Sequence, residues 1–355
     1  MTSERAPFTR EVVHPDHGPL GWLCVDSVVD GLAFGGFRMT PNVTQGEVEE
    51  LARCMTLKLA AHGSPVGGAK AGIRLDPMEP DADALLAFFA AEVRDLLTNT
   101  VVLGKDMGAT DLAIDGMYAA LGVPQLSPMG SSDLTRLRDF CGYRRHMTGL
   151  GVAFAARAAL GGSLEGARVA IQGAGLVGLG SAVRLAAMGA QIVGMSDVSR
   201  CLVWPEGVNV AWLEARVGAP RSLRGADQGH LIARDDLFGL DADVVVLAAS
   251  SYSVGAEQVA SIQAPLVVEG CNMGFVEGAR EVAQARGLTV IPDVLASSSS
   301  AAMVCRQLRA KGTLGEEALW GAIEGAITQR VTEAMAAARL QQITVRQAHL
   351  EWATP

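Results

Sequence analysis

Apolar residues along this 355-residue chain follow two periods, and the changes from one to the other mark its predicted elements. Within residues 47–61, Val48, Leu51, Ala52, Met55 and Leu59 recur at helical spacing and share one face of a predicted helix. Residues 81–97 show the same period and predict a second amphipathic helix. Residues 21–39 read instead as strand, with two glycine breaks and a close at Gly35-Gly36. Val101-Val102-Leu103 is a short apolar strand, and the glycine-studded residues 63–72 form a loop or short strand. Residues 119–134, rich in Gly, Pro and Ser, predict a loop that leaves a first domain.

Beyond that loop, strands and helices alternate. An alanine-rich helix over 149–160 precedes a strand over 167–172, and a helix opens within residues 173–178. The next strand, 191–195, ends at Ser196-Asp197, and continuous apolar runs at 244–247, 266–268 and 289–291 read as buried strands. From Gly315 onward the chain is helical, with Ile323, Ile327, Val331 and Met335 four residues apart. The alternation predicts an α/β fold with an open parallel sheet.

Composition narrows this further. The length fits two domains at roughly 100–200 residues each. Glycine supplies 41 residues with no Gly-X-Y period, so the excess belongs in turns and at close backbone approaches. A net charge of −9, with Arg144-Arg145 as the densest basic cluster, excludes attraction to nucleic acid or an anionic membrane. No apolar run approaches the ~18 residues of a membrane span, and the first residues lack a signal-peptide core, so a cytoplasmic protein is expected. Cysteines 24, 54, 141, 201, 271 and 305 are scattered without a CxxC and read as reduced thiols. The six histidines form no HExxH, and no metal is expected.

Chemistry concentrates in a few segments. Gly173-Ala174-Gly175-Leu176-Val177-Gly178 follows a strand, opens a helix, and is followed nineteen residues later by Asp197. That context reads as a dinucleotide fingerprint rather than a glycine turn of another α/β fold. Gly173 makes the turn, Gly175 admits the pyrophosphate, Gly178 lets helix and strand pack, and the helix start at Leu176 and Val177 offers N–H groups to phosphate. Asp197 would accept from the adenosine ribose and repel a 2′-phosphate, favouring NAD; Arg200 would pair with that phosphate, so NADP stays open. Lys58 follows an apolar run and Lys70 follows a double glycine. Most lysines are merely solvated, but a desolvated lysine beside another cation has a lowered pKa and can act as a base. Asp106, in Gly104-Lys105-Asp106, stands at a strand end, where either a turn former or an acid–base group belongs.

Taken together, these segments resemble the glutamate/leucine/phenylalanine/valine dehydrogenase family. The resemblance runs through Gly35-Gly36-Phe37-Arg38, Met55 to Lys58, Pro65 to Gly72, Asp106, Thr148 to Val152, the fingerprint, Glu269 to Asn272, and Ile291 to Ala296. It implies a substrate-binding and oligomerisation domain over residues 1–134, joined by C-terminal helices over 325–355, and a doubly wound Rossmann domain over 135–324, with the active site between them. It also implies a homo-oligomer. Lys58 would bind the α-carboxylate, Lys70 would activate water, Asp106 would move protons at the amino group, Thr148 would meet the nicotinamide carboxamide, and Asn272 would lie near nicotinamide and substrate. The implied reaction is oxidative deamination of an L-amino acid to a 2-oxo acid and ammonia with NAD or NADP.

Pocket residues refine the substrate. Glutamate-type members carry lysine where this chain has Phe34, beside Gly35, and serine where it has Val304. Both positions are apolar here, which disfavours a buried side-chain carboxylate. Gly104 stands where leucine-type members tend to have alanine and phenylalanine-type members glycine, which opens space that Phe34 takes back; an apolar or non-proteinogenic side chain is expected in a pocket of either size. Where the family reads Asn-Ala-Gly-Gly, this chain reads Ser297-Ser298-Ser299-Ser300. That departure keeps two alternatives open: a biosynthetic reductive aminase or imine reductase, and a non-catalytic NAD-binding paralogue.

Overall fold

The structure, a computed structural model, describes residues 6–123, 147–216, 223, 228–309 and 315–353. They fall into two compact units, one of residues 1–141 with 304–314 and the other of 142–303 with 315–355.

The first unit opens with β1 (Phe8–His14), β2 (Gly18–Val25) and β3 (Ala33–Met39), then α1 (Gln45–Ala61) and β4 (Gly67–Ile73). It continues with α2 (Ala82–Glu92), α3 (Arg94–Asn99), β5 (Val101–Lys105) and α4 (Asp111–Ala120). Its sheet runs β1-β2-β4-β3-β5. Helix α1 is started by Thr44, whose hydroxyl accepts the Glu47 N–H. The segment expected as one strand over 21–39 is two, parted by a turn with Asp30 and Gly31 at positive φ. Of the two forms expected over residues 63–72 the chain takes the strand: β4 is central to the sheet, antiparallel to β2 and parallel to β3, and buried along its whole length. The helix expected over 81–97 breaks at Val93, itself buried in the core against Phe89 and Leu97.

The second unit holds α5 (Met147–Ala159), β6 (Arg168–Gln172), α6 (Leu176–Ala187), β7 (Gln191–Ser196), β8 (Cys201–Val203), α7 (Val210–Glu214) and β9 (His230–Ile232). Then come β10 (Val244–Leu247), α8 (Ala256–Ser261), β11 (Leu266–Glu269), α9 (Ala279–Ala285), β12 (Thr289–Ile291) and α10 (Asp293–Ala296). Helices α11 (Ser299–Arg309), α12 (Glu316–Gln341) and α13 (Val345–Ala353) follow. Its sheet runs β12-β11-β10-β6-β7-β8-β9, with five parallel strands and an antiparallel β8–β9 hairpin at one edge. Strand order reverses between β6 and β10, the crevice where open α/β sheets take ligands.

The C-terminal helices differ from expectation. Residues 315–355 cluster with the second unit, because Glu324 pairs with Arg157 of α5 and Arg346 with Asp293. Only residues 304–314 return to the first. Residues 124–134 of the expected interdomain loop, with Cys141 and Arg144-Arg145, lie outside the described residues. The described cysteines form no disulfide and are buried. Burial pushes the Cys24 thiol up to about 11 and that of Cys201 to about 12, which makes both poor nucleophiles. Among the described residues no helix is long and apolar enough to cross a membrane.

Candidate active site

Strand register assembles the charged cluster of the first unit. Gly36 of β3 stands opposite Lys70 of β4 on one side and Gly104 of β5 on the other, and Asp106 follows β5. The Lys70 ammonium, on a residue only 5% exposed, meets Asp106 Oδ2 at 2.7 Å. Arg38 lies two residues beyond Gly36 on the same face of β3. Its Nε donates to the same oxygen at 3.1 Å and its Nη1 meets Glu47 Oε1 at 2.5 Å. A Cβ on Gly36 would stand 2.9 Å from Lys70 Nζ and 3.0 Å from Asp106 Cβ, so the pair meets where the strand carries no side chain. Lys58, on the last turn of α1, is also buried.

Each charge is set by its surroundings. Burial lowers the proton affinity of Lys70; Asp106 opposes this, while Arg38 and, more weakly, Lys58 add to it. Burial works against the charge on Asp106, yet Lys70 and Arg38 outweigh it and hold the carboxyl well below the usual carboxylate range. The cluster therefore offers an ionised carboxylate touching an amine whose proton affinity is lowered by burial. Arg38 and Glu47 were not singled out by sequence reasoning, although Arg38 alternates with Gly36 along a strand, and that spacing is a usable signal.

The pocket positions also fall in the first unit. Phe34 is half-buried, and a Cβ on Gly104 would lie 3.9 Å from its Cζ, so the two share one wall. Gly35 is locked differently: a Cβ there would strike the Ala69 carbonyl. Val304 is buried on α11. Lys105 is exposed beside Asp106.

In the second unit the fingerprint glycines have distinct environments. Gly173 has a φ of 102° and backs onto Ala248, and a Cβ on Gly178 would collide with the Gly173 carbonyl. Gly175 has nothing within 4 Å of that position and precedes α6 with no side-chain cap. An open approach at an uncapped helix start fits a pyrophosphate, with N–H donors from Leu176, Val177 and Gly178. Asp197 is bound up in its own turn: Oδ1 accepts from Ser199 N–H, Ser199 Oγ and Arg200 N–H, and Oδ2 from Leu223 N–H. Three of those bonds fall on Oδ1 and one on Oδ2, so the turn itself fastens the carboxylate.

Thr148 is half-buried in the first turn of α5, and Asn272 is half-buried just past β11. The serine run is structural. Ser297 Oγ donates to Asp293 O, Ser298 Oγ to Leu295 O, and Ser299 Oγ to Met147 O, the residue before Thr148.

Sequence comparison joins these two sites to one family. Residues 10–121 match the Glu/Leu/Phe/Val dehydrogenase dimerisation domain, and residues 142–350 match the Glutamate/Leucine/Phenylalanine/Valine dehydrogenase domain. The chain belongs to the glutamate/leucine/phenylalanine/valine dehydrogenase family. Curated relatives in this family include the NADP-specific glutamate dehydrogenase of Saccharolobus shibatae, 32% identical over 79% of this chain and 68% of that protein. The NAD-specific glutamate dehydrogenase A of Halobacterium salinarum is 29% identical over 78% of this chain and 66% of that one. A hetero-hexameric glutamate dehydrogenase from Thermus thermophilus, solved in a Leu-bound form, superposes with a TM-score of 0.78 at 28% identity, covering 99% of this chain and 87% of that one. Relatives of both cofactor types occur, so family membership is compatible with NAD and with NADP. The relatives are named for glutamate, which does not support the phenylalanine-type character expected at the pocket.

Proposed function

We propose that this chain catalyses reversible oxidative deamination of an L-amino acid whose side chain carries no carboxylate. The observation that carries the reading is the contact of buried Lys70 with half-buried Asp106, flanked by Arg38 and Lys58. Lys58 holds the α-carboxylate, which fixes the orientation of the Cα. Asp106, ionised and acceptor-only, takes a proton from the substrate ammonium. Lys70, whose proton affinity burial lowers, draws a proton from the water that attacks the imine carbon, and returns it to the leaving amine. A nicotinamide dinucleotide, when bound, supplies the hydride acceptor. Gly173 to Gly178 cradle its phosphates, and Thr148 and Asn272 receive its nicotinamide end.

Phe34, Gly104 and Val304 support the side-chain preference. None offers a cation or a hydroxyl to a side-chain carboxylate, whose burial without a partner costs several kcal/mol. The same residues run in reverse make a reductive aminase, so both directions are one activity. The test is dinucleotide reduction across a panel of L-amino acids that includes glutamate, with NAD and NADP, and Lys70→Ala as control. Turnover is expected for apolar substrates, with kcat/KM for glutamate about 100-fold lower or more, and loss of about 10³-fold or more in Lys70→Ala. Preference for glutamate refutes the pocket reading; unchanged rates in Lys70→Ala refute the role of the pair.

A further inference from the structure

Asn272 is followed by a strained residue. Met273 has a φ of 50°, the left-handed region that a non-glycine side chain rarely adopts. Three contacts hold it there. Its N–H donates to Asp293 Oδ2 at 3.0 Å, its carbonyl accepts from the Tyr252 N–H at 2.7 Å, and its sulfur receives the Tyr252 hydroxyl. Asp293 is fully buried, and its other oxygen takes Arg346 Nη1 at 2.6 Å. Arg346 comes from the first turn of α13, far along the chain and just past the left-handed turn at Gln342. The start of the same loop is held in parallel: Glu269, also fully buried, is gripped by both terminal nitrogens of Arg280 at 2.7 Å.

We propose that Arg346 is a positioning residue for the cofactor. It fixes the Asp293 carboxylate, the carboxylate holds the Met273 peptide in its left-handed turn, and that turn aims Asn272. Loss of Arg346 removes a charge partner from this buried carboxylate, and its hold on the Met273 peptide loosens. This rests on the reading that Asn272 faces the nicotinamide.

The fingerprint that binds the adenosine and pyrophosphate half lies on a different loop, and this separates the outcomes. Binding of NADH and of ADP-ribose, which lacks the nicotinamide, is measured by calorimetry on the full chain and on Arg346→Met. NADH affinity is expected to fall about ten-fold while ADP-ribose affinity is unchanged. Arg346→Lys, which keeps a cation of shorter reach, is expected to recover most of the loss, and it carries the comparison if Arg346→Met does not fold. Unchanged NADH affinity in a folded variant overturns the proposal, as does an equal loss for both ligands. If the unmodified protein binds NADH no more tightly than ADP-ribose, it is the placement of Asn272 at the nicotinamide that fails.

Discussion

The two units put glycine to opposite uses around their functional atoms. In the first, Gly36 lets protein meet protein: the Lys70 ammonium and Asp106 fill the space that its Cβ would need. In the second, Gly175 keeps space empty, with nothing within 4 Å of the same position. One absence of a side chain sharpens a preassembled charge pair; the other leaves an approach for a ligand. The lesson is that a glycine near a site has no fixed meaning until its neighbours are known, since Gly173 and Gly178 in the same fingerprint are packed against backbone.

Substitution by alanine separates the two uses. Gly36→Ala forces Lys70 Nζ, the far end of a flexible chain, away from Asp106. A displacement of that size is expected to lower kcat about 100-fold with little change in Tm, and steady-state kinetics beside a thermal melt reads both. A kcat within two-fold of the unmodified enzyme would show that the pair tolerates rearrangement. Gly175→Ala has the smaller expected effect. Its φ of −83° suits an L-residue, so the fold is expected to be unaffected. The added methyl meets the pyrophosphate instead, raising KM for the dinucleotide about ten-fold at nearly constant kcat. A change in kcat alone would place the ligand elsewhere.

The sequence carried the second unit of the molecule more fully than the first. Parallel strands buried on both faces read as apolar runs, and β10, β11 and β12 lie within a residue of where those runs placed them. Strand β4 was harder to read, because Gly67, Gly68 and Gly72 give no alternation. Those glycines exist so that Ser27, Thr56 and Val48 can press directly on the strand, a fact held by its neighbours. The pairs that complete both sites are equally non-local. Arg38 and Asp106 are 68 residues apart, and Asp293 and Arg346 are 53 apart. Alternation with Gly36 marks the face that Arg38 takes, but neither partner can be read from spacing along the chain. The serine run adds a role its sequence did not show: the hydroxyls of Ser297, Ser298 and Ser299 stitch the backbone together.

The central claim is that burial makes Lys70 a base beside an ionised Asp106, and its titration tests this most directly. NMR of lysine ε-carbons in isotope-labelled protein, with Lys70 assigned by difference from Lys70→Arg, gives the pKa without relying on turnover. Burial lowers it and Asp106 raises it, so Lys70 is expected to titrate below the ordinary value of about 10.4. Removing the opposing charge in Asp106→Asn is expected to move it lower still. A midpoint at or above the ordinary value, or an upward move in Asp106→Asn, would contradict the account.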